Sequence, residues 1–315
     1  MLPLPYDAPV EERKNKSCCS LDDSMDARAV CRQLKIPFYV LDFQEEFQES
    51  VIDYFIAEYA IGKTPNPCVM CNKKIKSRYL LEKVKVLDCD YLATGHYAKI
   101  QQQTESQKYQ LLRSTDRKKD QTYFLFGVPS EDLSKLLFPL ANYEKSQVRE
   151  IAHEYGFESA NKPDSQEICF VPKNYRDFLN HHLPTAPAMG EFVNVQGDVL
   201  GQHQGIPYYT VGQRRGLGMS SPEPLYVVRI DKEKNQVVLG TEQESYSHSV
   251  FVSEVNWVSI LPITEPITAT VRLRYSHRGT PATLIPKERD AVEVQLHTPQ
   301  RAVALGQAAV FYDGD

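Results

Sequence analysis

No run of apolar residues in this 315-residue chain approaches the roughly twenty that a membrane-spanning helix needs. The opening MLPLPYDAPVEERKNK lacks the apolar core of a secretory leader and carries acids early, so export is not expected. There is no excess of positive charge. Lys+Arg is 36 and Asp+Glu is 41, and 36 − 41 = −5, which excludes a generally basic nucleic-acid coat but not a local basic face. No internal repeat and no low-complexity tract is present. Seven cysteines are an odd number in a long chain without a leader, which favours a reducing compartment and thiol chemistry over a disulfide scaffold, with the cytoplasm as the expected location. Cys68 and Cys71 form a C-x-x-C pair with no second close Cys/His pair, and the adjacent His181 and His182 are poorly placed to share a metal, so no metal site is expected. What remains is 42% hydrophobic and 24% charged, the balance of a folded globular chain of two or three domains.

The first half alternates helical and strand patterns. A tail to about Lys16 precedes an amphipathic run in which Ala27, Val30, Cys31 and Leu34 share a face, ended by Pro37. Phe38-Tyr39-Val40-Leu41-Asp42-Phe43 reads as a buried strand. Helical patterns cover Phe47–Tyr59 and Asn72–Val86, and Tyr91–Thr94 reads as a strand ending at Gly95-His96. Such alternation predicts a parallel α/β sheet. After about residue 185, short strands dominate: Glu191–Val195, Tyr208–Val211, Tyr226–Ile230 and Gln236–Leu239. From about Ser249 nearly everything alternates, notably Ile267 to Tyr275, Ala291 to Leu296 and Ala308 to Tyr312, which predicts a β-barrel or sandwich of about 65 residues.

Charge is clustered. Residues 22–53 hold eight acids and three bases, whereas residues 71–85 hold six bases and one acid, and residues 108–119 five bases and one acid. Arg272, Arg274 and Arg278 have no acid among them. Three basic clusters on an acidic chain fit either a polyanion footprint or three solvated faces.

In Gly62-Lys63-Thr64-Pro65-Asn66-Pro67-Cys68-Val69-Met70-Cys71-Asn72-Lys73-Lys74-Ile75-Lys76, two prolines stiffen a loop that delivers Cys71 to the start of a helix. A helix N-terminus and nearby lysines both favour thiolate. Taken alone, the C-x-x-C pair fits a redox dithiol or half of a zinc site. Cys169, between Ile168 and Phe170, reads alone as a buried core cysteine. Gly95, at the end of a parallel strand, lets a ligand approach the backbone. The run Val211-Gly212-Gln213-Arg214-Arg215-Gly216-Leu217-Gly218 fits a phosphate cradle or a plain glycine turn.

Together these segments resemble the tRNA-specific 2-thiouridylase family (MnmA, also called TrmU). The match is carried by GKTPNPCVMCNKKIK, ATGHYA, RKKDQTYFL, DSQEICF, VGQRRGLG, RLRY and GQAAVFYDG, in family order from about residue 18 to the end. The resemblance implies an α/β plus β chain: an incomplete ATP-pyrophosphatase-type parallel α/β domain over 1–135, with 162–172 returning to it, a small central domain over 136–245 and a C-terminal β-barrel over 246–315. It implies ATP-dependent sulfur transfer from a cysteine persulfide to C2 of the wobble uridine in the tRNAs for lysine, glutamate and glutamine. ATP, with Mg2+, would be a co-substrate, and no tightly bound cofactor is implied. The persulfide would come from a cysteine desulfurase or a sulfur relay protein, and no membrane is involved.

By position, Cys71 corresponds to the family's nucleophile and Cys169 to its persulfide-bearing cysteine, with a Cys71–Cys169 disulfide forming in turnover. Gly95 would lie at the ATP site. Asn66, Pro67 and Cys68 would face the target base, and His96, Lys119, Asp120, Gln121, Arg274, Tyr275 and Gln307 would contact tRNA. Where this chain has Cys68 the family commonly carries Asp, and a third thiol there could compete for persulfide or disulfide. These enzymes also open with a strand, a Ser-Gly-Gly-x-Asp-Ser phosphate loop and a helix, and no such sequence occurs in these 315 residues. Two rival readings follow: a tRNA-binding remnant without catalysis, and a dithiol redox protein built on Cys68 and Cys71.

Overall fold

The computed structural model describes residues 21–104, 107–162, 168–171 and 174–314. The expected tail to Lys16, Cys18–Ser20 and Asp164–Glu167 lie outside them. The chain packs into two units. One holds the residues up to Asp53 together with Pro67–Phe178, and the other holds Tyr54–Asn66 together with Leu179–Asp315.

In the first unit the expected N-terminal helix is Leu21–Leu34, with Arg32 in its last turn, where a cation suits the helix dipole. It stops at Lys35, whose φ of 57° is left-handed, two residues before Pro37. The expected strand Phe38–Phe43 is not formed. The backbone from Ile36 to Phe43 carries no strand ladder, and Ile36, Tyr39 and Val40 are 51%, 66% and 59% exposed. Aromatic and branched residues favour a strand only where a neighbouring edge takes their N–H and C=O groups. None of the described strands supplies that edge. The next helical run starts at Gln44 and becomes π-helical over Gln48–Asp53, burying Phe47, Val51 and Ile52. The following run spans Pro67–Met70, the π-helical Cys71–Tyr79 and Leu80–Val86 without a break.

Strand β1 (Leu92–Ala93) pairs in parallel with β4 (Leu136–Leu137), and these two short strands are all of the parallel α/β sheet among the described residues. Between them in sequence lies an antiparallel hairpin, β2 (Ala98–Gln102) with β3 (Tyr109–Arg113), which sequence patterning had not suggested because its tip is polar and glutamine-rich. The helix Lys145–Glu154 and the 3-10 turn Glu158–Asn161 follow in the same unit.

The second unit has two sheets. The first has the order β6-β5-β8-β7, from β5 (Gly190–Val193), β6 (Val199–His203), β7 (Tyr226–Asp231) and β8 (Gln236–Gly240). Strands β5 and β8 run parallel and the other neighbours antiparallel. Phe192, Tyr209, Leu217, Val227, Val237 and Leu239 form its core. The expected strand at Tyr208–Val211 is instead a 3-10 turn, Ile206–Tyr208, because Pro207 fixes φ and Gly205 sits at φ 132°. His203 is buried in this core. Its Nδ1 accepts the Gly205 N–H at 3.0 Å and its Nε2 faces the Asn235 carbonyl at 3.1 Å, so the ring is neutral, and burial lowers its pKa.

The second sheet is antiparallel with the order β13-β10-β11-β12-β9, from β9 (Tyr246–Val252), β10 (Ile267–Arg272), β11 (Thr280–Lys287), β12 (Ala291–Arg301) and β13 (Val310–Tyr312). Val271, Ala282, Leu284, Val292 and Val294 are its most buried residues. Among the described residues β13 and β9 do not pair, so the ladder stays open rather than closing on itself. Strand β11 was hidden in the sequence by Pro281 and Pro286, which are rare inside a strand flanked on both sides. The fold class is α/β followed by β, as the sequence pattern predicts.

Candidate functional site

The helix carrying the C-x-x-C pair starts earlier than expected. Pro67 is its first residue, where the missing N–H costs nothing, and Asn66 precedes it in the position where Asn is favoured. Cys68 therefore occupies the first turn and is exposed, while Cys71 is half-buried one turn further on. At Cys71 the helix becomes π-helical, with the Leu80 N–H reaching back five residues to the Ile75 carbonyl. In that geometry Cys71 and Lys76 are one turn apart. Asn72, beside Cys71, is 5% exposed and donates from Nδ2 to the Cys68 carbonyl at 2.9 Å. Its Oδ1 is buried without a partner among the described residues.

Cys169 is half-buried and precedes Phe170, which is 2% exposed. The Phe170 ring meets Phe47 edge-on at 5.9 Å and Phe178 at 5.3 Å. The helical turn that carries Phe47 also packs on the helix Cys71–Tyr79. One aromatic cluster thus anchors the Cys169 segment and borders the Cys71 helix, within a single unit.

Gly95 is exposed just past the end of β1, and a Cβ there would meet only the Leu140 side chain, at 3.8 Å. Next to it, His96 is 7% exposed. Its Nδ1 lies 2.7 Å from Thr94 Oγ1 and its Nε2 lies 3.4 Å from Lys76 Nζ. An ammonium can only donate, so Nε2 accepts and Nδ1–H donates to Thr94. Burial, and then the Lys76 charge, push the His96 pKa down to about 3. The sign follows directly. The unfolded state takes up a proton near pH 6.5 and the folded state resists until about 3, so stability from His96 is present above pH 6.5 and falls as pH drops. The expected loss is about 1.4 kcal/mol per pH unit across that window. The expected NMR result is a His96 ring that stays neutral from pH 8 to pH 5; a midpoint near 6.5 would refute the assignment.

The basic loop after β3 is held by two carboxylates. Asp120, 5% exposed, accepts the N–H groups of Ser114 and Thr122 at 3.1 and 3.2 Å and the Thr122 hydroxyl at 2.5 Å. Asp116 accepts the N–H groups of Lys118 and Lys119 at 3.1 and 3.2 Å on one oxygen and that of Lys145 at 3.0 Å on the other. Gln121 is locked to Tyr97 in both directions, at 2.8 and 2.9 Å. Asp120 and Gln121 therefore shape the loop, and the exposed Arg117 and Lys118 with the half-buried Lys119 carry its charge. Asp116 was missed by sequence reasoning. Its signal was present as an Asp followed at two and three residues by N–H groups it can cap.

In the second unit, Arg274 and Tyr275 are exposed on the turn between β10 and β11. Arg272 holds that turn. It donates from Nε to the His277 carbonyl at 2.8 Å and from Nη2 to the Tyr275 carbonyl, and its guanidinium lies 5.8 Å from the Tyr275 ring centroid. Gln307 donates to the Thr64 carbonyl at 2.6 Å, while the Thr64 N–H donates to the Leu305 carbonyl at 2.8 Å. Gln307 thus fastens the chain two residues before Asn66. Among the described residues no group of three metal-ligating side chains is found.

Three family profiles match the chain end to end: the tRNA methyl transferase HUP domain over residues 5–173, the tRNA methyl transferase PRC-barrel domain over 176–241 and the aminomethyltransferase beta-barrel domain over 247–315. A tRNA-specific 2-thiouridylase MnmA of Symbiobacterium thermophilum is 48% identical over 97% of this chain and 79% of its own length. The chain belongs to the tRNA-specific 2-thiouridylase family. MnmA proteins of Pelotomaculum thermopropionicum and Clostridium acetobutylicum are 45% and 44% identical, over 97% and 99% of this chain and 84% and 87% of their own lengths. In this 2-thiouridylase family member, the residues that resemblance assigned to chemistry (Cys71, Cys169, Gly95) all lie in the unit matched by the HUP profile.

Proposed function

We propose that this chain is a tRNA 2-thiouridylase that moves sulfur from a persulfide on Cys169 to C2 of the wobble uridine, in the tRNAs for lysine, glutamate and glutamine. The observation that carries the reading is that two half-buried cysteines lie in the HUP-matched unit, Cys169 next to an aromatic cluster whose Phe47-bearing turn packs on the helix that contains Cys71. An upstream cysteine desulfurase or relay protein loads Cys169 as Cys–S–SH. The uridine C2 oxygen is activated with ATP, which the family uses as co-substrate. The terminal persulfide sulfur attacks C2 and AMP departs with the oxygen. The Cys71 thiolate then attacks the Cys169 Sγ, the C2 sulfur leaves with the S–S electron pair, and a Cys71–Cys169 disulfide remains for an external dithiol to reduce. Release of the persulfide sulfur by Cys71 as hydrosulfide before the attack reaches the same products.

Gly95 supplies the close backbone approach on the near side of the nucleotide. Asn66, Pro67 and Cys68 face the target base, and Lys119, Arg274 and Tyr275 meet the RNA. His96, Asp120, Gln121 and Gln307 act on tRNA by holding those surfaces in shape. The second reading, a tRNA-binding chain that does not turn over, is favoured by the lack of a Ser-Gly-Gly-x-Asp-Ser loop in the 315 residues. Both readings require tRNA to bind without ATP, through phosphates. The expected result is an affinity that falls log-linearly with salt, with Arg274→Ala or Lys119→Ala each weakening binding and lowering the slope by about one. Binding that is absent or independent of salt would remove both readings. Detection of 2-thiouridine in tRNA incubated with the chain, ATP and a persulfide donor separates them.

A further inference from the structure

We propose that the loop from Arg214 to Leu225 in the second unit binds a phosphodiester of the RNA backbone, an inference that rests on the tRNA reading above. Gly216 and Gly218 have φ of 73° and 70°, while Arg215 and Leu217 between and before them have ordinary negative φ. Alternation of this kind turns successive N–H groups toward one concave side and makes an anion nest. No acceptor among the described residues takes the N–H groups of Gly216, Leu217 or Gly218. A cavity of about 470 Å³ opens at this point, lined by Arg214, Gly216, Gly218, Ser221 and Glu223 among others. A Cβ at Gly218 would meet nothing within 4 Å, so crowding by the protein does not explain the glycine.

The loop is built rather than slack. Leu217 is 8% exposed and belongs to the core of the four-stranded sheet, while Gly216 and Gly218 on either side of it are exposed. At the base, the Gly212 N–H donates to the Val227 carbonyl at 2.7 Å and the Val227 N–H to the Gln213 carbonyl at 2.9 Å. Gln213 also accepts the Thr210 N–H at 3.1 Å and donates to the Arg215 carbonyl at 2.9 Å. Arg214 lines the cavity and the exposed Arg215 follows it in the loop, both positive, while Glu223 in the lining opposes them. No aromatic ring lines the cavity, so nothing there stacks on a base, which favours a bare phosphate over a nucleoside.

The test is tRNA binding by the full chain across a salt series, using an unmodified tRNA transcript. Arg214→Ala and Arg215→Ala should each weaken binding about tenfold at low salt and lower the slope by about one. Glu223→Gln should tighten it severalfold. Gly218→Ala should weaken it with the slope kept, because neutral N–H donors are lost and no charge is. Arg274→Ala serves as the reference for the reading beneath. If Arg274→Ala weakens binding while both Arg214→Ala and Arg215→Ala behave as the unaltered chain, the tRNA reading stands and this inference is overturned. Failure of the unaltered chain to bind tRNA overturns both. A loss of ATP binding instead of tRNA binding in the arginine variants would make the ligand a nucleotide phosphate and also overturn it.

Discussion

Replacing Cys71 or Cys169 by serine should each abolish 2-thiouridine formation in a preparation that thiolates tRNA, whereas Cys89→Ser should leave it unchanged. The two changes remove different roles, since serine at 169 cannot hold a persulfide and serine at 71 cannot resolve one. Cys89 is a control just beyond the end of the same helical run. It is exposed in the turn just past Val86, and its thiol donates to the Leu87 carbonyl. Cys71 sits near the other end of that helix, roughly 20 Å away along its axis. The readout is retardation of thiolated tRNA on a mercury-containing gel. Equal loss from all three substitutions would show that the effect is on folding and that the assigned pair is wrong.

The second large effect concerns nucleotide turnover. Activating the C2 oxygen requires the β- and γ-phosphates to be held while the oxygen attacks the α-phosphorus. Backbone N–H groups of a glycine-rich loop at a helix N-terminus ordinarily do this. Among the described residues the parallel sheet of this unit is two short strands, with Gly95 exposed just past the end of one of them. The chain as given should therefore release no pyrophosphate above background with ATP and tRNA. Fusing or adding a strand, Ser-Gly-Gly-x-Asp-Ser loop and helix should bring release and thiolation back together. Robust tRNA-dependent release without such an addition would mean that another segment holds the phosphates. The chain as given should also be sticky. Ile36, Tyr39, Val40, Tyr91 and Leu137 are all exposed apolar residues in this unit, so a hydrophobic dye should bind the chain as given and be displaced by the added segment.

The sequence was most legible where local pattern and tertiary demand agree. Strand β10, and β12 from Val292 to Leu296, alternate in burial as they alternate in hydropathy, β8 is the continuously buried apolar run its composition suggests, and the helices Leu21–Leu34 and Pro67–Val86 match their apolar spacing to within a turn or so. It misled at Phe38–Phe43, where residue type asks for a strand and no described neighbour provides an edge. It was silent at β11, where two prolines mask a strand that pairs on both sides. The cysteines were legible as residues, but their setting was not. That Cys68 rather than Cys71 occupies the first helical turn depends on Pro67 starting the helix, and that the Cys169 segment is anchored beside the Cys71 helix depends on aromatic contacts across about 120 residues, since 170 − 47 = 123. The burial of His96 and Asp120 and the hydrogen bonds between Gln121 and Tyr97 likewise need the fold, because buried and exposed polar residues read alike in a sequence.

The segment Tyr54–Asn66 belongs to the second unit although the chain on both sides of it belongs to the first. Its helix Tyr54–Ala60 buries Phe55 completely and packs on the turn Ile206–Tyr208. During synthesis that helix leaves the ribosome well before its own unit can form, since 179 − 60 = 119 residues separate it from Leu179, where the rest of the unit begins. At 5–20 residues per second, the 206 − 60 = 146 residues to the turn it packs on leave Phe55 without that cover for roughly 7 to 29 seconds. Cutting the gene between residues 178 and 179 would not yield two independent folding pieces, because the second would lack its helix and the first would carry a foreign one. A nascent chain arrested before Leu179 is accordingly the form of this protein that most needs a chaperone.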